Sequence, residues 1–304
     1  SFYDQGRVDS RCAPTDDFLT ATLSWFGDSQ PDKGSPWDRG ERLADLINQQ
    51  RTLLVLDGLE PHQHAPSAAG PGGGLNHPGL QSLLRALARH NIGLCVITTR
   101  LPVQDVQEFV GAGAHIVNLG ELSANAGAAL LQKLGVRGEA NQLKLAAAEY
   151  DGHALALTLL GSYLSTVYEG DVRKRYKIET LMQDTVYGGH AHRVMAAYAA
   201  WFRRKPELQM LHILGLFDRP AEIRAIEYLL TRPPISGLTT TVAKMSFVER
   251  QYCLRSLRDS LLLANDSSPI PDKLDCHPLV RQYFAGSLRN KNLGAWRTAH
   301  RYLY

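Results

Sequence analysis

The 304-residue chain lacks any apolar run approaching the ~18 residues needed to cross a bilayer as a helix, so no membrane-spanning helix is expected. Cysteine is scarce. Cys12, Cys95, Cys253 and Cys276 lie far apart with no CxxC pair, which argues against a disulfide framework and for reduced, mostly buried thiols in a cytoplasmic setting. Charge of one sign is not in excess: 33 Lys plus Arg stand against 30 Asp plus Glu, a net +3, and such a balance gives no general case for nucleic acid or membrane surfaces. There is no Gly-x-Ser-x-Gly elbow, no internal repeat and no heptad array. The N-terminal Ser1-Phe2-Tyr3-Asp4 has no initiator Met, basic leader or apolar h-region, and is expected to be cut from something longer. What remains is 44% hydrophobic and 21% charged, enough for real cores in two or three domains.

The first half alternates helical periods with short apolar runs. Helices are predicted over 15–25, 38–50 (Asp38 as N-cap) and 80–90. Between them Leu53-Leu54-Val55-Leu56-Asp57 and Ile92 to Thr98 read as strands buried on both faces, with a weaker third strand at His115–Leu119. That alternation predicts an α/β fold with a parallel sheet. The loop from Pro61 to Gly79, carrying Gly70-Pro71-Gly72-Gly73-Gly74, is expected to be mobile, and His62, His64 and His77 in it to be solvent-exposed rather than metal ligands. After Gly120 the pattern is helical: 123–134, 139–150 and 153–168, then a basic stretch at 173–177 expected as a solvated linker. Helices at 190–204, 207–217, 221–230 and 246–259 follow. Two short strands, Leu261–Ala264 and Lys273–Cys276, then flank a turn before the last helices, the outline of a winged helix. Trp25, Trp37, Trp201 and Trp296 are expected as core or interface anchors. The expected domains are 1–120, 121–189 and 190–304.

Two segments carry chemistry. Leu53 to Asp57 delivers a carboxylate to the end of a buried strand, where open α/β sheets bind ligands, and such a group holds Mg²⁺ directly or through water. This is the physics of a Walker B strand, and Glu60 is spaced to orient or deprotonate an attacking water. One strand later, Ile97-Thr98-Thr99-Arg100 brings a guanidinium to the same edge, a fork suited to a terminal phosphate.

The order of four motifs resembles the STAND class of signalling NTPases, the NB-ARC and NACHT-like group, and its bacterial members in particular. Leu53–Glu60 resembles Walker B in an Asp-Gly-Leu-Glu form. Ile97–Arg100 resembles the sensor Thr-Thr-Arg. Asp151-Gly152-His153-Ala154-Leu155-Ala156-Leu157 resembles the helical-domain Gly-Leu-Pro-Leu-Ala-Leu motif, and Cys276-His277-Pro278-Leu279-Val280 stands where the family carries Met-His-Asp. The resemblance implies a P-loop-type sheet followed by a helical bundle and a winged helix, with ATP/ADP and Mg²⁺ as cofactors. Asp57 would hold the metal and Glu60 act as base. Arg100 with Thr99 would meet the γ-phosphate. Gly152, Ala154 and Leu155 would pack near the adenine, and His277 would reach the β-phosphate of ADP. It further implies a switch, closed with ADP and open with ATP, that self-associates on activation. An N-terminal effector and C-terminal sensor repeats would lie outside this chain, in signalling or antiphage immunity. Two positions depart from the pattern: Ala154 replaces the family's proline, and Pro278 its aspartate. The competing readings are a winged-helix DNA-binding regulator and a scaffold with structural nucleotide.

No G-x-x-x-x-G-K-[ST] occurs, so the chain is expected to start just after the phosphate-binding loop. Losing that loop removes several charge-assisted hydrogen bonds, roughly 1.5–3 kcal/mol each. These 304 residues alone are therefore predicted not to hydrolyse ATP measurably. Steady hydrolysis that Asp57→Ala abolishes would contradict this.

Overall fold

A computed structural model describes residues 15–66, 72–178, 189–265 and 272–303. The expectations for Cys12, Gly70, Pro71 and most of the polar stretch before Lys273 lie outside them. The chain divides into two compact units, residues 1–118 and 119–304.

The first unit contains α1 (Thr15–Trp25), α2 (Pro36–Ile47), β1 (Leu53–Asp57), α3 (Pro78–Arg89) and β2 (Leu94–Thr98). Helix α2 starts earlier than predicted. Ser35 is its N-cap, Pro36 takes the first turn, and Asp38 closes a capping box on Ser35 from the third position. Its apolar stripe Leu43, Ala44 and Ile47 packs with Leu19, Leu23, Leu80, Leu83 and Leu87 of α1 and α3 in one core. Helices α2 and α3 approach so closely that a Cβ on Gly40 would stand 2.1 Å from the Gly79 carbonyl oxygen. Glycine is thus required by contact, not by dihedral angle.

β1 and β2 pair in parallel, with Asp57 opposite Thr98 at their C-terminal ends. The expectation of strands buried on both faces is not met. Leu54, Leu56, Cys95 and Ile97 face the helices, whereas Leu53, Val55, Leu94 and Val96 are exposed. Among the described residues the sheet has two strands and one helical layer, so each strand alternates despite its continuous apolar sequence. The predicted third strand at His115–Leu119 is also absent. Ile116 and Val117 are 47% and 68% exposed, and their backbone has no hydrogen bond among the described residues. Nearby pairing is confined to a single bridge, Val110 to Ala114. Of the Gly-rich stretch, Gly72–Gly74 is described. Gly73 N–H donates to His64 O at 2.9 Å and His64 N–H to Gly74 O at 2.8 Å.

The second unit is helical: α4 (Ala124–Lys133), α5 (Ala140–Glu149), α6 (Ala154–Tyr168), α7 (Gly189–Trp201), α8 (Pro206–Leu214), α9 (Ile223–Thr231), α10 (Phe247–Asp259), α11 (Pro278–Lys291) and α12 (Leu293–Leu303). One core runs through them, including Leu131, Leu157, Tyr198, Leu257 and Phe284. The stretch at 173–177 is solvated only in part: Arg173, Tyr176 and Lys177 are exposed. Arg175 is buried and its guanidinium donates to both oxygens of Glu149 on α5, at 2.8 and 2.9 Å. Strand pairing also differs from the prediction. β4 (Lys273–Leu274) pairs antiparallel with β3 (Ala221–Glu222), at the start of α9, and Leu261–Ala264 is no strand. Leu262 and Leu263 are buried instead, and Ala264 N–H gives Asp275 O a lone 2.7 Å bond. Trp25 is 75% exposed and Trp37 41%, so neither is a core anchor, whereas Trp201 and Trp296 pack against the core. No described helix is long and apolar enough to cross a membrane.

Two histidines carry a pH-dependent penalty. His62 is buried, not exposed as expected, and its Nδ1 shares a 3.0 Å bond with the Thr15 hydroxyl. Burial, then the charge of His77, hold its pKa down at about 4. His212 on α8 is buried against Phe284, and burial, then the charge of Lys291, hold it at about 4. Both lie below the ordinary 6.5, so the unfolded chain takes up protons first as pH falls. Stability is full above pH ~6.5 and declines toward pH ~4, by about 3 kcal/mol per histidine at the limit. Urea midpoints are therefore expected to drop between pH 6.5 and 4.5, and to drop less in His212→Leu. A flat profile would contradict it.

Candidate functional site

The parallel register is what assembles the site in the first unit. In-register parallel strands end together, so Asp57 and Thr98 finish side by side at the C-terminal edge of the sheet. The Thr98 hydroxyl donates to Asp57 Oδ1 at 2.7 Å and accepts the Gly58 N–H at 2.8 Å. Gly58 sits at φ +72°, where a side chain is disfavoured, and so turns the chain out of β1 immediately after the carboxylate. Leu59 is fully buried, and its N–H donates to Thr98 O at 3.0 Å. This plug fixes the following short helical turn, Glu60–His62.

Glu60 reaches back across the edge. Its Oε1 accepts the main-chain N–H of Arg100 at 2.6 Å and Arg100 Nε at 3.2 Å. The glutamate side chain is 14% exposed and the arginine 70%, so the pair joins a sheltered carboxylate to an outward guanidinium. Glu60 Oε2 is buried without a hydrogen-bond partner among the described residues. An unpaired buried carboxylate oxygen is costly, and it marks a place for a donor or cation. Thr99 points elsewhere: its hydroxyl donates to Gln63 Oε1 at 2.6 Å. Gln63 is buried, and its amide donates to Gly73 O at 2.9 Å, tying the end of β2 to the Gly-rich turn.

Asp57, Glu60, Thr99 and Arg100 thus share one edge, Asp57 and Arg100 as the exposed groups. The set suits a hard cation with an anionic partner: one carboxylate oxygen of Asp57 is taken by Thr98, leaving the other for oxygen-type coordination. No group of three or more metal-ligating side chains occurs among the described residues.

The remaining predicted residues lie in the second unit. Gly152, at φ +68°, is packed so that a Cβ would stand 2.1 Å from Leu122 O. Ala154 opens α6 and Leu155 packs against the core, with His153 as N-cap, its Nδ1 accepting Ala156 N–H at 3.2 Å. His277 caps α11 in the same way, its Nδ1 accepting Leu279 N–H at 3.2 Å. A ring that accepts through Nδ1 presents Nε2 as its donor when neutral. The His277 pKa is lowered by desolvation first, then by the charges of Arg281 and His153, with Asp275 opposing. Arg281 is buried and paired with Asp275 at 3.0 Å. Sequence reasoning missed Thr98, Gln63 and His153 as site-shaping residues. Thr98 was findable from its register opposite Asp57. The other two act through tertiary contacts.

No protein-family model matches the chain, and no curated protein matches it. Among solved structures, it resembles a signal transduction ATPase with numerous domains (STAND) protein with a tetratricopeptide repeat sensor from Pyrococcus horikoshii. Identity is 18%, the TM-score 0.56, and the match covers 94% of this chain and 36% of that one. A Walker-type ATPase of Pyrococcus abyssi is also found, at 14% identity and TM-score 0.25, over 90% of this chain and 75% of that one.

Replacing Thr98 by Val keeps volume while removing the hydroxyl between Asp57 and Gly58. It is expected to destabilise the first unit by about 1 kcal/mol in urea unfolding. An unchanged midpoint would mean the Thr98 bridge contributes nothing to the edge.

Proposed function

From the fold it shares with a STAND structure, we propose that the chain is the central portion of a STAND-class NTPase, a nucleotide-dependent switch. The chain spans 36% of that structure's length, and the tetratricopeptide sensor belongs to that protein. The observation that carries the reading here is the Asp57–Thr98 edge with Glu60 and Arg100 beside it. Mg²⁺, when bound, supplies charge neutralisation of a polyphosphate. Asp57 is the group that would hold it. Glu60, sheltered and with one oxygen unpaired, orients or deprotonates a water. Arg100, exposed and anchored through its own backbone, meets a terminal phosphate and so distinguishes ATP from ADP.

Within the second unit, Gly152, Ala154 and Leu155 are assigned to the adenine and His277 to the β-phosphate of ADP, on the motif resemblance. A neutral imidazole donating from a helix N-terminus suits an anion. The functional division at 121–189 and 190–304, the latter as a winged helix, belongs to the same reading. So do the closed ADP and open ATP states, self-association, and effector and sensor regions outside this chain in cytoplasmic or antiphage signalling.

The DNA-binding alternative is disfavoured by α10, whose exposed residues include Phe247, Val248 and Tyr252, and whose Arg255 lies within an ion pair of Asp259 at 4.0 Å. The full-length natural protein provides the test. Arg100→Ala is expected to weaken ATP binding at least tenfold and leave ADP binding within twofold. Glu60→Gln is expected to abolish turnover with ATP binding retained. Equal loss of ADP and ATP in Arg100→Ala, or turnover by Glu60→Gln, would overturn the assignments.

A further inference from the structure

Helix α5 stops at a Schellman turn. Gly152 N–H donates to Ala147 O and Asp151 N–H to Ala148 O, both at 3.0 Å, and the residue after the C-cap Tyr150 is left-handed. Glycine is the residue favoured there, because it has no Cβ. This chain places Asp151 in that position, at φ +50°. Aspartate tolerates the left-handed region when its carboxylate hydrogen-bonds the neighbouring backbone. No such local bond of Asp151 is made among the described residues. Its Oδ2 instead meets His190 Nε2 at 2.9 Å, at the start of α7 and 39 residues away. A carboxylate only accepts, so Nε2 carries the proton.

The start of α7 closes on the same turn through two further groups. The His190 and Tyr150 rings lie 5.8 Å apart, and the Arg193 guanidinium stands over the Tyr150 ring at 5.0 Å. Tyr150 is buried, whereas the Asp151 side chain is 79% exposed, so the contact has an anchored side and an open one. The turn passes directly into His153, the N-cap of α6, and so sets where Gly152, Ala154 and Leu155 stand. A glycine after Tyr150 would end α5 at least as well but would give His190 nothing to hold. The carboxylate is therefore explained by its contact with α7 and not by the helix stop.

We propose that Asp151 and His190 are positioning residues of the adenine subsite: their contact docks the start of α7 on the turn that presents Gly152, Ala154 and Leu155. This assignment rests on the nucleotide reading above. The full-length natural protein provides the test, by calorimetric titration with ADP and with ATP. Asp151→Gly is expected to weaken both nucleotides alike, by about fivefold, because both carry the adenine, and to leave the unfolding midpoint unchanged or raised. Asp151→Asn tolerates the left-handed region and keeps an accepting oxygen, so it is expected to bind both within about twofold of the natural protein. His190→Ala is expected to match Asp151→Gly, and the double variant to be no weaker than either. Unchanged affinity in Asp151→Gly, equal losses in Asp151→Asn and Asp151→Gly, or additive losses in the double variant would overturn the assignment while the nucleotide reading stands. So would a loss of binding in Asp151→Gly that accompanies a lowered unfolding midpoint. Failure of the unaltered protein to bind either nucleotide would overturn both.

Discussion

The hydroxyl of Thr98, held between the Asp57 carboxylate and the Gly58 amide, ties the ends of two parallel strands together. Everything at the edge is placed by that tie. It fixes where β1 stops, so the left-handed turn at Gly58 and the buried plug of Leu59 follow at a set position. The plug in turn aims Glu60 back toward the residue after β2's threonine pair. Two carboxylates at one edge repel each other unless the backbone imposes their spacing, and here the backbone does so through in-register pairing.

The Glu60–Arg100 contact has a second aspect. Its Oε1 is held chiefly by the Arg100 main-chain N–H, the shorter of the two bonds. The guanidinium is mostly exposed, so its ion pair with Glu60 is worth little by itself. Glu60 is held differently: its second oxygen is buried with no hydrogen-bond partner among the described residues.

Local signals made the helices and the two strands legible: the 3.6-residue periodicity of Leu43, Leu46 and Ile47, and the continuous apolar runs before Asp57 and Thr98. The candidate residues Asp57, Thr99 and Arg100 were legible as a group at one sheet edge because they close those runs. What failed was whatever depended on neighbours. Continuous apolar sequence implied strands covered on both faces, yet Leu53, Val55, Leu94 and Val96 are open. His115–Leu119 carries strand-forming residues but has no strand paired with it among the described residues, and propensity alone does not order a backbone. Lys273–Leu274 found Ala221–Glu222 instead of its near neighbour Leu261–Ala264, since Leu262 and Leu263 are drawn into the core. Arg175 looked like linker charge because Glu149, its partner 26 residues away, is invisible to a local reading.

The proposed metal and polyphosphate site is the C-terminal edge of β1 and β2. Anomalous diffraction from crystals of the full-length natural protein with Mn²⁺ and a non-hydrolysable ATP analogue addresses it directly. The account predicts a manganese peak within coordination or one-water distance of the Asp57 carboxylate, and the terminal phosphate against Arg100. A nucleotide bound with its metal remote from Asp57, or with its terminal phosphate on residues other than Arg100, would contradict it.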